Sequence, residues 1–256
     1  MATAAHSVPL KSTDTFMKKN ILVLLMLIAG FSGRAQENKK PKVDLSSRPN
    51  DHFIIQMTSD SWLNTPDSID SHMSGFHRGL NIYLMLDKPF KSNPKLSFGF
   101  GAGISSSNMY FENMLVNVAG TSTTLQFQET DSTGSYQKYK LNTTYLEAPV
   151  ELRFSSKPEH PNKSIKLALG IKAATLLSAH TKGKNLKTSS GSTLLSGIEK
   201  QSSKKYFNPT RLAATFRINY GIFGITASYA LTPLLKNGVG SQDIRQMQIG
   251  LTLSGL

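Results

Sequence analysis

The sequence predicts an all-β fold: an eight-stranded antiparallel transmembrane up-and-down β-barrel, with short periplasmic turns and long extracellular loops. Three observations predict it. Eight segments alternate apolar and polar residues with period 2, the signature of a strand with two unlike faces. The connections between them alternate long and short, the plan of a bacterial outer-membrane barrel, which also prefers an even strand number. The apolar faces are too bulky to fit inside so small a barrel.

The clearest segment runs from Leu146 to Ala173. Leu146, Ala148, Val150, Leu152 and Phe154 fall on one side, with Glu147, Pro149, Glu151 and Arg153 on the other. After a polar stretch with Pro158 and Pro161, Ile165, Leu167, Leu169, Ile171 and Ala173 alternate with Lys166, Ala168, Gly170 and Lys172. This is a long antiparallel hairpin. The remaining strands are expected at His52–Ser59, Arg78–Asp87, Lys95–Ser105, Arg211–Tyr220, Ile222–Leu231 and Ile244–Leu253. Long connections fall at 60–77, 106–143, 175–210 and 232–243, and short ones at 88–94, 155–164 and Tyr220-Gly221. The long ones are rich in Ser, Thr, Asn, Gly and Lys and read as solvated, mobile loops. Pro149 removes a ladder hydrogen bond in mid-strand, which implies a bulge there.

Which face lies inside is decided by volume. The eight apolar faces hold 36 side chains, whereas a filled eight-strand core takes about a dozen. The polar faces carry small residues such as Gly99, Gly101, Gly103, Ala168 and Gly170, which suit a crowded concave surface. The apolar face therefore points into lipid. A ten-residue strand tilted about 40° spans roughly 25 Å, the height of such a band.

Residues 1–35 form an N-terminal extension and signal peptide. Met17-Lys18-Lys19-Asn20, a candidate start, precedes the apolar run Ile21–Phe31, with cleavage expected after Ala35. Residues 36–50 read as a periplasmic linker and 51–256 as the barrel. The chain has no cysteine, so neither a disulfide nor a lipid-bearing cysteine follows export. Its formal net charge is +13. Residues 1–35 contribute four Lys/Arg and one Asp, so the remainder carries about +10. The basic residues are scattered over loops and strand faces without a basic helix or aromatic platform, which argues against a nucleic-acid partner.

Gly99-x-Gly101-x-Gly103 has strand spacing and no following helix, so it is not a phosphate loop. The inward phase places Asp87, Glu147, Glu151, Arg153, Lys166, Lys172, Arg211 and Arg217 in the lumen, where opposite charges must pair to stay buried. Trp62, Tyr110, Phe111, Tyr145 and Tyr206 lie at the long-loop ends and are expected as an interfacial aromatic girdle. His6, His52, His72, His77, His160 and His180 show no metal spacing. His72 and His77, with Asp67 and Asp70, are the sole candidates for a metal or catalytic pair, and are expected as solvated loop residues. No catalytic residue, cofactor or metal site is assigned.

Tyr145-Leu-Glu-Ala-Pro-Val-Glu-Leu152 resembles the "Y-L-E-x-P" strand of PorT-like outer-membrane β-barrel proteins. Asp51–Ile55, Ser61–Asn64, Gly75–Asp87 and Gly103–Asn108 extend the resemblance over most of 51–256. It implies an outer-membrane barrel with a lipid environment, no enzymatic activity, and contact with other outer-membrane or secretion components, since the founding member belongs to the type IX secretion pathway. The expected function is a structural, adhesion or secretion-accessory role exercised through the long loops. A membrane-embedded enzyme acting on lipid or peptide at the outer rim, or a narrow small-solute channel, are the alternatives.

Overall fold

The protein is seen in a computed structural model that describes residues 53–130, 134–188, 192–240 and 243–255. The expected signal peptide and linker lie outside the described residues. In chain order the strands are β1 (Phe53–Leu63), β2 (Arg78–Pro89), β3 (Leu96–Phe111), β4 (Met114–Asn117), β5 (Gln126–Glu129), β6 (Ser135–Ser155), β7 (Ile165–Lys187), β8 (Thr193–Ser202), β9 (Thr210–Tyr220), β10 (Phe223–Ala230) and β11 (Arg245–Ser254). One helical turn, α1, spans Asp67–Asp70.

Eight of these strands close a ring in the order β1-β2-β3-β6-β7-β9-β10-β11, every neighbour antiparallel. β11 returns to β1 over Ile54↔Ser254 to Leu63↔Arg245, which leaves the barrel without an edge. Each expected strand is present. Turns at the short end are tight because the sequence permits it: between β9 and β10, Gly221 takes φ 61°, as the first central position of a II′ hairpin requires.

The outward face is the apolar one. Leu84, Leu169, Ile225 and Leu251 are 65%, 65%, 55% and 70% exposed. Inward positions around the barrel hold Tyr83, Met85, Glu147, Lys172 and Arg217, all buried. A belt of that chemistry belongs in hydrocarbon.

Two expectations need correction. First, the segments 106–143 and 175–210 are mostly strand rather than loop. β6 has 21 residues and β7 has 23, whereas about 9–11 tilted residues cross the membrane. Their outer halves rise as a sheet of β3, β6 and β7, to which β8 adds from His180↔Ser202 to Lys187↔Thr193. These halves were hidden because the apolar phase inverts. On β3 it is Phe98, Phe100 and Ile104 that face outward, but above them Met109 and Phe111 face in. On β6, Leu146 and Leu152 face outward, whereas Tyr139, Leu141 and Tyr145 face in. The strand continues while its outer face passes from lipid to water and its inner face gains an apolar core.

That core fills the space above the lumen. Trp62, Ile69 of α1, Phe111, Val116, Leu141, Phe207 and Leu235 belong to one buried cluster. The loops are tied across it: the Tyr206 hydroxyl donates to the Gly120 and Ser122 carbonyls at 2.8 and 2.9 Å. Leu125 N–H donates to the Val239 carbonyl at 2.6 Å.

Second, Pro149 does not shift the register. β3 pairs β6 as Phe100↔Val150 on one side of it and Gly103↔Glu147 on the other, the same alignment. The irregularity falls instead at Thr144/Tyr145 against β7, where Leu177 is the extra residue. Proline is accommodated because its missing N–H costs one ladder bond and the chain beyond it stays in phase.

On this geometry, Leu169→Arg or Ile225→Arg should cost about 2–4 kcal/mol of folding stability in liposomes. Leu194→Arg on β8, outside the hydrocarbon, should change it by less than about 0.5 kcal/mol. Denaturant titration of the reconstituted protein reads both, and equal losses would mean the belt is misplaced.

Candidate functional site: the lumen and the outer sheet

The lumen is built by complementarity between large and absent side chains. β3 contributes Gly99, Gly101 and Gly103 to the interior. A Cβ on Gly103 would run into the Tyr83 ring, and one on Gly99 into the Arg153 side chain. The glycines are therefore the space into which those side chains pack.

Two ion clusters result. In the upper one the Glu147 carboxylate, 1% exposed, lies 3.1 Å from Lys172 Nζ and is also paired with Arg211. The Tyr83 hydroxyl donates to it at 2.5 Å. The Arg211 guanidinium stacks on the Tyr145 ring, 3.9 Å from its centroid, and donates to Gln246 Oε1. Gln246 and Gln248 in turn donate to Asp60 at 3.1 and 3.0 Å, as does Thr58 at 2.6 Å. In the lower cluster Glu151 accepts from Arg217 at 2.7 Å and Arg153 at 2.8 Å. Arg153 lies 3.5 Å from Asp87, to which Ser97 donates at 2.7 Å.

The structure brings seven of the eight expected charges into these two clusters. Lys166 is half-buried on β7 near the short-turn end. Sequence reasoning missed Asp60 and its amide partners. The signal was available, because Gln56, Thr58 and Asp60 continue the polar phase of β1, as Gln246 and Gln248 do on β11. With Asp60 counted, four carboxylates face four cations: Arg153, Lys172, Arg211 and Arg217. Between Gln56, Tyr83, Glu151, Lys172 and Arg217 the remaining void is about 20 Å³, room for about one water.

The aromatic expectation is corrected. Trp62, Phe111, Tyr145 and Tyr206 are buried inside the outer core, Trp62 and Phe111 with ring centroids 5.8 Å apart. Trp62, Phe111 and Tyr145 sit on the inward phase and Tyr206 in the connection between β8 and β9, folded into the core, so the four do not form a girdle. Tyr110 alone of the five is half-exposed on the outer surface. Outward aromatics gather at the opposite, short-turn end, where Phe90, Phe98, Phe154, Tyr220 and Phe223 are exposed.

His72 and His77 are engaged in separate local hydrogen bonds. His72 Nδ1 lies 3.0 Å from the Ser68 carbonyl. His77 Nδ1 accepts from the Tyr110 N–H at 3.1 Å, and burial lowers its pKa against the opposing pull of Asp60 and Asp70. Its Nδ1 serves as a structural acceptor for the β3 backbone. Among the described residues no group of three His, Cys, Asp or Glu is placed to hold a metal ion.

The second feature is β8. It is the last strand of its sheet, paired on one side to β7. Nine of its ten residues are exposed, among them Leu194, Leu195 and Ile198 at 57%, 56% and 62%. Its pattern lacked alternation because neither face is buried.

Residues 49–236 match the model of the outer membrane protein beta-barrel domain, most of the chain. The chain belongs to that family. It resides in the bacterial outer membrane, with β8 and the outer core beyond the membrane on the long-loop side. Among solved structures, Ail, the attachment invasion locus protein of Yersinia pestis, is similar at 14% identity, over 79% of this chain and 94% of that one, with a TM-score of 0.32. No curated protein sequence matches the chain.

Removing one member of the upper cluster strands the others. Glu147→Gln leaves Lys172 and Arg211 buried without their carboxylate and should cost about 3–5 kcal/mol. The check is the urea midpoint of the refolded barrel in liposomes, and a midpoint unchanged from wild type would overturn the assignment.

Proposed function

We propose that this outer-membrane barrel is a non-enzymatic docking protein, whose filled barrel serves as an anchor and whose outer sheet receives a protein partner. The open β8 edge carries the reading. An exposed, apolar edge strand is a ready template for another chain, and proteins that do not use such edges blunt them. Strand addition at an edge of this kind gives affinity through main-chain hydrogen bonds and specificity through alternate side chains. The packed lumen supports an anchor over a channel, because side chains occupy the path that a solute would need. Saturation of each lumen carboxylate by cations or donors likewise favours a structural network over acid–base chemistry.

Adhesion and a PorT-like accessory role in type IX secretion both employ such a surface, the latter supported by the match at Tyr145–Leu152. A deletion strain separates them. Loss of exported proteins from the culture supernatant would favour secretion, and an unchanged supernatant with weaker attachment would favour adhesion.

The docking reading is tested with Leu195→Lys/Ile198→Lys on cells displaying the protein. Attachment to a panel of immobilised extracellular proteins should fall by about tenfold or more, as for loss of a central apolar anchor. Heat-modifiable migration should show the barrel still folded. Attachment that survives the double substitution would reject the β8 edge as the docking surface.

A further inference from the structure

Just above the lipid belt, one sector of the barrel carries a cluster of cations. The strand register fixes its layout. One outward row runs Arg78 on β2, Asn108 on β3, Asn142 on β6 and His180 on β7. The next runs Tyr110, Lys140, Lys182 and Lys200 across β3, β6, β7 and β8. On β2, β3 and β6 these residues share the outward phase of Leu80, Ile104 and Leu146. On β7 the bulge at Leu177 restores that phase for His180 and Lys182. With about 3.3 Å per residue and a tilt of about 40°, the cations lie within about 15 Å of the belt's upper edge. Arg78, two residues from Leu80, is the lowest. Long lysine side chains can reach down further.

The cluster is uncompensated. Among the described residues no carboxylate lies within 4.0 Å of the charged nitrogens of Arg78, Lys140, Lys182 or Lys200. Glu112, just past the end of β3, accepts from the Ser74 hydroxyl at 2.8 Å. Instead, the cations are organised by neutral groups. The Tyr110 ring centroid is 5.5 Å from the Arg78 guanidinium and 5.9 Å from Lys140 Nζ, and Lys140 donates to Asn108 Oδ1 at 2.7 Å. Burial and then the charges of Lys182 and Arg78 lower the pKa of Lys140. Burial and then Lys200, Lys140 and Lys182 do the same to His180. Across the barrel the corresponding cation, Arg245, is paired with Asp243 at 2.9 Å. At this height, then, the charge on β11 is matched by a carboxylate, whereas that of the β2–β8 sector is not.

We propose that this sector, Arg78, Lys140, Lys182 and Lys200 around Tyr110, binds the phosphate groups of the outer-leaflet glycolipid. Its height is that of a phosphorylated headgroup layer, and clustered Lys/Arg beside a membrane span is the charge complement of anionic lipid. Several phosphates on a sugar headgroup match several separated cations better than one would. Lipid bound there fixes which side of the barrel faces the glycolipid. The inference rests on residence in the outer membrane and is independent of the β8 docking role.

The full chain, refolded into nanodiscs of phosphatidylcholine doped with diphosphoryl lipid A or with chemically dephosphorylated lipid A, provides the test. Lipid retained by the protein after detergent exchange is quantified by mass spectrometry. Wild type should retain the diphosphoryl form at least tenfold over the dephosphorylated one, less so at high salt because exposed charges are screened. Lys140→Gln/Lys182→Gln/Lys200→Gln should abolish the preference, and Arg245→Gln should leave it intact. Should the triple variant not fold, Lys140→Gln alone should reduce the preference. Equal retention of the two lipids by wild type, or a preference that survives in the folded lysine variants, would overturn the proposal.

Discussion

Glu147 sets the terms on which the rest of the lumen is filled. Its carboxylate is almost without solvent access, and an isolated charge there would be costly enough to prevent burial. Lys172, Arg211 and the Tyr83 hydroxyl converge on it from three other strands. Each brings its own demand. Arg211 draws in Gln246 and, through it, Asp60. Tyr83 needs the space left by Gly103. An eight-strand barrel is narrow enough that such demands meet across its whole width, so neutrality and packing are solved together. The outcome is an interior that holds the barrel in register and leaves little space for water.

With the lumen filled, the surfaces open to solvent and lipid are the outer ones. There the governing fact is a change of surroundings along continuous strands. Below the boundary on β3 and β6, Ile104 and Leu146 face hydrocarbon while Glu147 and Tyr83 are sealed within. Above it Asn108 and Lys140 face water, while Phe111 and Tyr139 close over a shared core. β7 makes the transition with the added residue Leu177, and β3 makes it with none. The membrane boundary is therefore written in which phase of the strand is apolar, while the strands themselves continue across it.

This explains what could be read from the residues alone. Eight strands, their outward faces and seven of the lumen charges in the two clusters follow from period 2 and volume, because inside the membrane each strand sees one environment on each face. The outer halves of β6 and β7 read as loops because the apolar phase reverses there and the outward residues become Ser, Thr, Asn and Lys. The same reversal placed Trp62, Phe111 and Tyr145 in an expected girdle: position along the strand was right and the face was wrong. β8 had no alternation to detect, since both faces are wet. Asp60 lies beyond the expected strand only because that strand ends at Ser59, four residues short of Leu63. None of these required information outside the sequence except which segments stack on which, the long-range term that periodicity does not carry.

The braced outer core changes what the β8 edge can do. A solvated loop would have to be ordered before it could pair with another chain, and that entropy is subtracted from affinity. Here β8 is already a strand, held against β7, while Tyr206 and Leu125 tie the neighbouring loops to one another. The edge is presented in fixed geometry relative to the lipid belt, because β6 and β7 run unbroken from one to the other. A cationic rim on the same strands then adds a rotational constraint. A partner adding a strand to β8 would meet it at a set height and a set bearing above the membrane, which favours a partner held at that surface over one diffusing freely above it.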